Sequence, residues 1–326
     1  MIPGLIFLLL LFTFILIKSA DLVVISLRRL SQETHTKALI LSSTILAIAT
    51  SFPELSVGIT SALEGAPHLS FGNVLGSNIA NITLVAGLSA FVVGRVNVHG
   101  EFIRKEVVVA LFAGILPLVL AVDGNLTRVD GLILIATYLA YASSFFKFRF
   151  LQIAEEFKRE FFFHRFLRRF IHAKLSVNKT REWGKFFVGI ALLLFSGDVI
   201  VKIARELAAS AGIPIFLVGL ILLSIGTTLP ELAFSFRSLE DREPTMYFGN
   251  LLGSIIANST LILGVTSLIY PISIIAVEKT WIAAITFPIV FLVFWFFVKT
   301  KLKLERWEAG MLLLIYIAFV VLEFSR

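Results

Sequence analysis

The sequence predicts an all-α polytopic membrane protein of ten transmembrane helices arranged as two inverted five-helix repeats, and three observations carry that expectation. The 326 residues are 58% hydrophobic with a mean hydropathy of +0.94, more apolar than a chain whose surface must be solvated by water. Ten runs are long and apolar enough to cross a hydrocarbon core of about 30 Å. Finally, the sequence aligns with itself, without a gap, at an offset of 177 residues.

In chain order the ten runs lie near 4–26, 38–63, 69–93, 106–122, 129–148, 185–207, 214–238, 245–270, 279–298 and 307–323. The first has an apolar core followed by the small residue Ala20, as a secretory signal does, but it lacks a basic n-region. It also has an internal counterpart at 188–198, so it is read as a membrane helix. Between the fifth and sixth runs lies a basic stretch. The expected organisation is therefore a first repeat over 1–148, a loop over 149–184 and a second repeat over 185–326.

Charge sets the expected topology. With the ten runs assigned alternately, Arg28, Arg29, Lys37, Arg95, Arg104, Lys105, Arg237, Arg242, Lys299, Lys301, Lys303 and Arg306 fall on one side, and chiefly Arg128 and Lys279 on the other. The positive-inside rule makes the crowded side cytoplasmic and places both termini outside a cell membrane. The 149–184 loop falls on the cytoplasmic side, and the 146–185 segment interleaves aromatics with Lys, Arg and Glu at helical spacing, as an amphipathic helix on anionic lipid does. Such a juxtamembrane patch needs no nucleic-acid partner, and no obligate protein partner is expected. The chain has no cysteine, which excludes thiol chemistry and disulfides.

At the offset of 177, SADLV at 19–23 falls on SGDVI at 196–200, LAIATSFPEL at 46–55 on LSIGTTLPEL at 223–232, and FGNVLGSNIANITL at 71–84 on FGNLLGSIIANSTL at 248–261. In the last pair 11 of 14 positions are identical, which marks two copies of one unit. Five spans separate equivalent points, and an odd number inverts the second copy in the bilayer. Inverted repeats of this kind build secondary transporters whose ion site lies near the midplane, where the copies meet.

The paired motifs explain themselves in those terms. Pro53 and Pro230 cannot donate a backbone hydrogen bond and disfavour helical geometry in the preceding residue, so each helix should break just before Glu54 and Glu231. Carbonyls freed there, expected from Ala47, Thr50, Ser224 and Thr227, need a partner at membrane depth. An ionised side chain at the bilayer centre costs roughly 2.5–3.5 kcal/mol, and a divalent cation shared by the two glutamates would offset that cost. Calcium takes about 6–8 oxygen ligands in flexible geometry, and the two carboxylates with the carbonyls of Thr50 and Thr227 supply much of that set. Magnesium sheds its water reluctantly and fits less well. Ser77, Asn81, Ser254 and Asn258 add further oxygens, while Gly72, Gly76, Gly249 and Gly253 should let helices approach closely. All five histidines fall in loops or at span ends, which disfavours zinc and copper. Asp21 and Asp198 also recur, each near a lysine, Lys18 or Lys202, and a helix-packing or ion-pair role is expected for them.

The doubled ATSFPE/GTTLPE and GNVLGSNIAN/GNLLGSIIAN motifs resemble the alpha repeats of the sodium/calcium exchanger family, most of all its compact prokaryotic members, over nearly the whole chain. The resemblance implies a secondary active antiporter exchanging sodium for calcium by alternating access, with no cofactor beyond the transported ions. It implies calcium at Glu54 and Glu231 with the carbonyls of Thr50 and Thr227. It implies sodium at the same glutamates, the hydroxyls of Ser51, Thr228, Ser77 and Ser254 and the carbonyls of Ala47 and Ser224, with Asn81 and Asn258 completing the centre. Three sodium ions against one calcium would move one net charge per cycle. Position 258 is Asn where potassium-dependent relatives carry an acid, so potassium dependence is not expected. Position 255 is Ile where the first copy has Asn78. The 146–185 segment has no EF-hand-like loop, so calcium sensing there is not expected.

A calcium/proton antiporter is the nearest rival; its relatives differ around the acid, and the neutral hydroxyl and amide oxygens here suit sodium better. A membrane-embedded enzyme would need a histidine-rich metal site, or a nucleophile with a base, and the spans offer neither cysteine nor histidine. A passive channel fits two discretely buried carboxylates poorly.

Overall fold

The computed structural model describes residues 2–31, 50–97, 101–159, 179–240, 244–274 and 280–325, and it is helical almost throughout. Helix α1 (Ile2–Ser31) is followed by α2 (Phe52–Leu63), α3 (Pro67–Ala80), a π-helical turn π1 (Asn81–Val85) and α4 (Ala86–Val93). Next come α5 (Glu101–Leu120) and the long α6 (Arg128–Arg159). In the second half, α7 (Lys179–Ala211) leads to α8 (Ile215–Leu217), π2 (Val218–Leu223), α9 (Ser224–Thr227) and α10 (Leu229–Glu240). Helix α11 (Pro244–Ile256), π3 (Ala257–Ile262), α12 (Leu263–Ile269), α13 (Thr280–Lys301) and α14 (Arg306–Phe324) complete the chain.

Seven helical stretches among the described residues are long and apolar enough to cross a membrane: Ile2–Val23, Pro67–Val93, Lys105–Asp123, Thr180–Ala211, Ile215–Glu240, Pro244–Ile269 and Trp281–Thr300. The protein is thus a multi-pass membrane protein. The runs expected at 129–148 and 307–323 are also helical, within α6 and α14, and 38–63 is described only from Thr50 onward. Burial separates the stretches: Pro67–Val93, Ile215–Glu240 and Pro244–Ile269 are the most enclosed, whereas Phe7, Phe112, Phe195 and Phe296 on flanking helices point outward, where lipid replaces water as the solvent for apolar surface.

Local chemistry sets the element ends. Pro53 and Pro67 occupy the first two positions of α2 and α3, where a missing N–H costs nothing. Helix α2 ends in a Schellman turn: Gly65, at φ +67°, donates to the Ala62 carbonyl and Ala66 donates to Ser61. Gly212, at φ +65°, ends α7 in the same way.

Two short antiparallel ribbons tie the halves together. Strand β1 (Arg95–Asn97) pairs with β4 (Lys303–Glu305), and β2 (Asn125–Leu126) with β3 (Ile272–Ser273). They lie at opposite ends of α5, since β1 precedes that helix and β2 follows it. Positions 95 and 272, and 126 and 303, are each 177 apart, so the repeat offset carries one ribbon onto the other. One buried cluster runs from Phe71 and Ile79 to Phe248, Phe287 and Phe291; a second lies where α1 packs along α7, around Leu16, Ala20, Ile200 and Ala204.

Candidate functional site

The site is built around the two expected proline–glutamate pairs, Pro53–Glu54 and Pro230–Glu231. Thr50 and Ser51 form a turn before α2 begins at Phe52, and Thr228 is a turn between α9 and α10. Pro230 removes the donor that would have served the Gly226 carbonyl. Glu54 and Glu231 therefore sit in the first turns of α2 and α10, where the positive end of each helix favours a carboxylate. They are 1% and 0% exposed and close enough to interact electrostatically. Both oxygens of Glu54 and Oε2 of Glu231 have no hydrogen-bond partner among the described residues, while Glu231 Oε1 accepts from Ser254 Oγ at 3.4 Å.

The copies exchange contacts across the site. Thr50 Oγ1 donates to Asn250 Oδ1 at 3.3 Å, and Thr227 Oγ1 donates to Asn73 Oδ1 at 3.2 Å. These are one bond made twice, since 50 and 227, and 73 and 250, are each 177 apart. Likewise Thr227 stands beside Glu54 and Thr50 beside Glu231, each threonine facing the other copy's carboxyl. Ser77 Oγ lies 3.3 Å from Thr227 Oγ1.

The other expected residues fall as follows. Ser51, Ser77, Asn81, Ser224, Thr227, Thr228, Ser254 and Asn258 are all buried, and Thr50 is half-buried. Ser51 Oγ, both amide atoms of Asn81 and Oδ1 of Asn258 have no partner among the described residues. Ala47 lies outside the described residues. The Ser224 carbonyl is not freed as expected: it accepts the Thr228 N–H at 3.0 Å and the Thr228 hydroxyl at 2.8 Å, because the break falls after Thr227 and the last turn of α9 still closes.

Backbone packing brings these groups within reach of one another. A Cβ on Gly72 would lie 2.2 Å from the Phe216 carbonyl oxygen, and one on Gly76 only 2.0 Å from that of Leu220, so α3 touches α8 and π2 backbone to backbone. Gly249 and Gly253, expected to act alike, meet no described atom within 4 Å. The π turns were not expected. Two of them place Asn81 and Asn258 at or next to their first residue, and such bulges collect at functional sites. Asn73 and Asn250 were also missed as site residues, although both stand in the repeated GN motif and their recurrence could have singled them out.

The recurring aspartates play the expected part. Lys18 Nζ lies 3.4 Å from Asp21 Oδ2, and Lys202 Nζ lies 2.8 Å from Asp198 Oδ2.

A profile of the family described as "Sodium/calcium exchanger protein" matches this chain twice, over residues 4–147 and 182–325. The chain belongs to the sodium/calcium exchanger family. Its relatives within and around that family include the sodium/calcium exchanger MaX1 of Methanosarcina acetivorans, 28% identical over 95% of each chain. The inner membrane protein YrbG of Escherichia coli is 31% identical over 79% of this chain and 77% of its own. Among solved structures, the sodium-calcium exchanger NCX_Mj soaked with sodium and strontium superimposes with a TM-score of 0.62 at 25% identity, covering 98% of this chain and 99% of that one. The exchanger family consists of cation antiporters, not enzymes, and the enclosed oxygen-rich centre of this member is the part of its fold suited to a cation.

Proposed function

We propose that the protein is an electrogenic antiporter that exchanges sodium for calcium across the cell membrane by alternating access, with calcium held between Glu54 and Glu231. The observation that carries this reading is the convergence of two repeat-related carboxylates in one enclosed centre, with three of their four oxygens lacking any described donor. A hard divalent cation such as calcium would satisfy those oxygens, and the carbonyls of Thr50 and Thr227 would contribute more. Sodium would draw on Ala47, Ser51, Glu54, Ser77, Asn81, Thr228, Glu231, Ser254 and Asn258, while the Ser224 carbonyl, already holding two hydrogen bonds, drops out of the expected set. The similarity to MaX1 and NCX_Mj, both sodium/calcium exchangers, favours these ions over others.

Ten spans in two inverted halves remain part of this proposal. The ribbons support it: the offset of 177 exchanges ribbons at opposite ends of α5, as a pseudo-two-fold axis in the membrane plane would. On this topology both termini lie outside and the 149–184 loop is cytoplasmic, against anionic lipid; most of that loop lies outside the described residues. Moving three sodium ions against one calcium would carry one net charge, worth about 2.3 kcal/mol per 100 mV.

The test is calcium uptake into sodium-loaded proteoliposomes diluted into sodium-free buffer, at preset membrane potentials and with potassium present or absent. Uptake that needs the sodium gradient, responds to potential and ignores potassium is expected. Uptake driven only by a pH gradient would move the protein to the proton-coupled branch.

A further inference from the structure

The two central asparagines are related by the repeat but stand in different surroundings. Asn258 Nδ2 donates to Asn78 Oδ1 at 3.4 Å, and Asn78 Nδ2 donates in turn to Ser259 Oγ at 2.7 Å. All three side chains are at most 1% exposed. The chain of donors runs from Asn258 through Asn78 to Ser259. With its amide nitrogen turned to Ser259, Asn78 presents its oxygen to Asn258, which turns its own nitrogen toward Asn78 and leaves Oδ1 as a buried acceptor without a described partner.

The offset of 177 carries Asn78 onto Ile255 and Ser259 onto Ile82, both buried. The polar bracket behind Asn258 is thus replaced behind Asn81 by two isoleucines. Neither amide atom of Asn81 has a described partner, and nothing among the described residues selects which end of that amide faces the centre.

We infer that Asn78, braced by Ser259, is a positioning residue that fixes the Asn258 amide with its oxygen toward the cation, so that the second half of the site is preorganised and the first is not. This rests on the proposed role of Asn258 as an ion ligand. A cation accepts only oxygen lone pairs, so an amide free to flip presents a repelling N–H₂ in part of its population. Partners that orient ligands in this way typically contribute about 10–100-fold to metal affinity.

The experiment is equilibrium binding of labelled calcium to the purified full-length protein in detergent, for Asn78→Ala, Asn258→Ala, Asn81→Ala and the double variants pairing Asn78→Ala with each of the other two. Asn78→Ala is expected to weaken binding about tenfold or more. Added to Asn258→Ala it should cause almost no further loss, whereas added to Asn81→Ala the losses should multiply, because coupled residues are non-additive and independent ones are not. A general packing defect would multiply in both backgrounds and would overturn the inference, as would wild-type binding by Asn78→Ala. If Asn258→Ala itself binds calcium normally, the ligand role of Asn258 fails, and the inference falls with it for a distinguishable reason. Should Asn78→Ala not fold, Ser259→Ala removes only the brace: a smaller shift in the same direction is expected, and unchanged binding would overturn the inference.

Discussion

Replacing Glu54 with glutamine keeps the shape and one oxygen of the side chain but removes its charge. A carboxylate about 4 Å from a divalent cation, at an effective dielectric of about 20, gains roughly 8 kcal/mol. The cost of burying that carboxylate, roughly 2.5–3.5 kcal/mol on insertion scales, is the same with and without the cation and does not enter the binding balance. The loss on substitution is thus up to roughly 8 kcal/mol, or between about 10⁵- and 10⁶-fold in calcium affinity. If the proposed site is right, this loss falls on binding and not on folding, since neither Glu54 oxygen receives a hydrogen bond from the described residues. Two assays on the same preparation separate the possibilities. Sodium-driven calcium uptake by Glu54→Gln should fall to background. In thermal melting, calcium at a hundred times the wild-type Kd should stabilise the wild type by about 2.7 kcal/mol and leave the variant unmoved. Normal uptake, or a calcium-induced melting shift equal to that of the wild type, would refute the reasoning.

Three other outcomes follow from the contacts. Asn73→Ala and Asn250→Ala each release one threonine hydroxyl, from Thr227 and Thr50, and should weaken calcium binding by similar factors of about fivefold, since a hydrogen bond contributes about 1 kcal/mol; binding titrations that show one variant unchanged would break the equivalence of the two bonds. Gly76→Ala places a Cβ 2.0 Å from the Leu220 carbonyl oxygen and should lower the melting temperature sharply, because backbone, not a flexible side chain, stands in the way. Asp21→Asn and Asp198→Asn remove exposed or partly exposed ion pairs and should leave transport rates close to those of the wild type, as measured in proteoliposomes.

Much of this molecule is legible in its sequence because membranes and repeats both leave periodic marks. Apolar runs announce the helices, since a chain in lipid must satisfy its backbone internally. Proline before glutamate announces the turn at Thr50–Ser51 and the break at Thr228, because a residue without an N–H weakens the helical ladder there, although Pro117 and Pro288 lie inside continuous helices. Recurrence marks Glu54 with Glu231 and Asp21 with Asp198 alike, and it is the preceding proline that singles out the glutamates. Spacing along one helix tells which residues share a face. It does not tell which faces meet. The bonds from Thr50 to Asn250 and from Thr227 to Asn73 join residues 200 and 154 positions apart, and only packing of the two copies against each other brings them together. The π turns at Asn81 and Asn258, the backbone contact at Gly76 and the one-sided bracket of Asn78 on Asn258 likewise depend on neighbours from distant parts of the chain. Sequence alone determined the class, the duplication and the two carboxylates, because these are written locally; the tertiary structure decided which oxygens face one another, because that is a property of the packed pair.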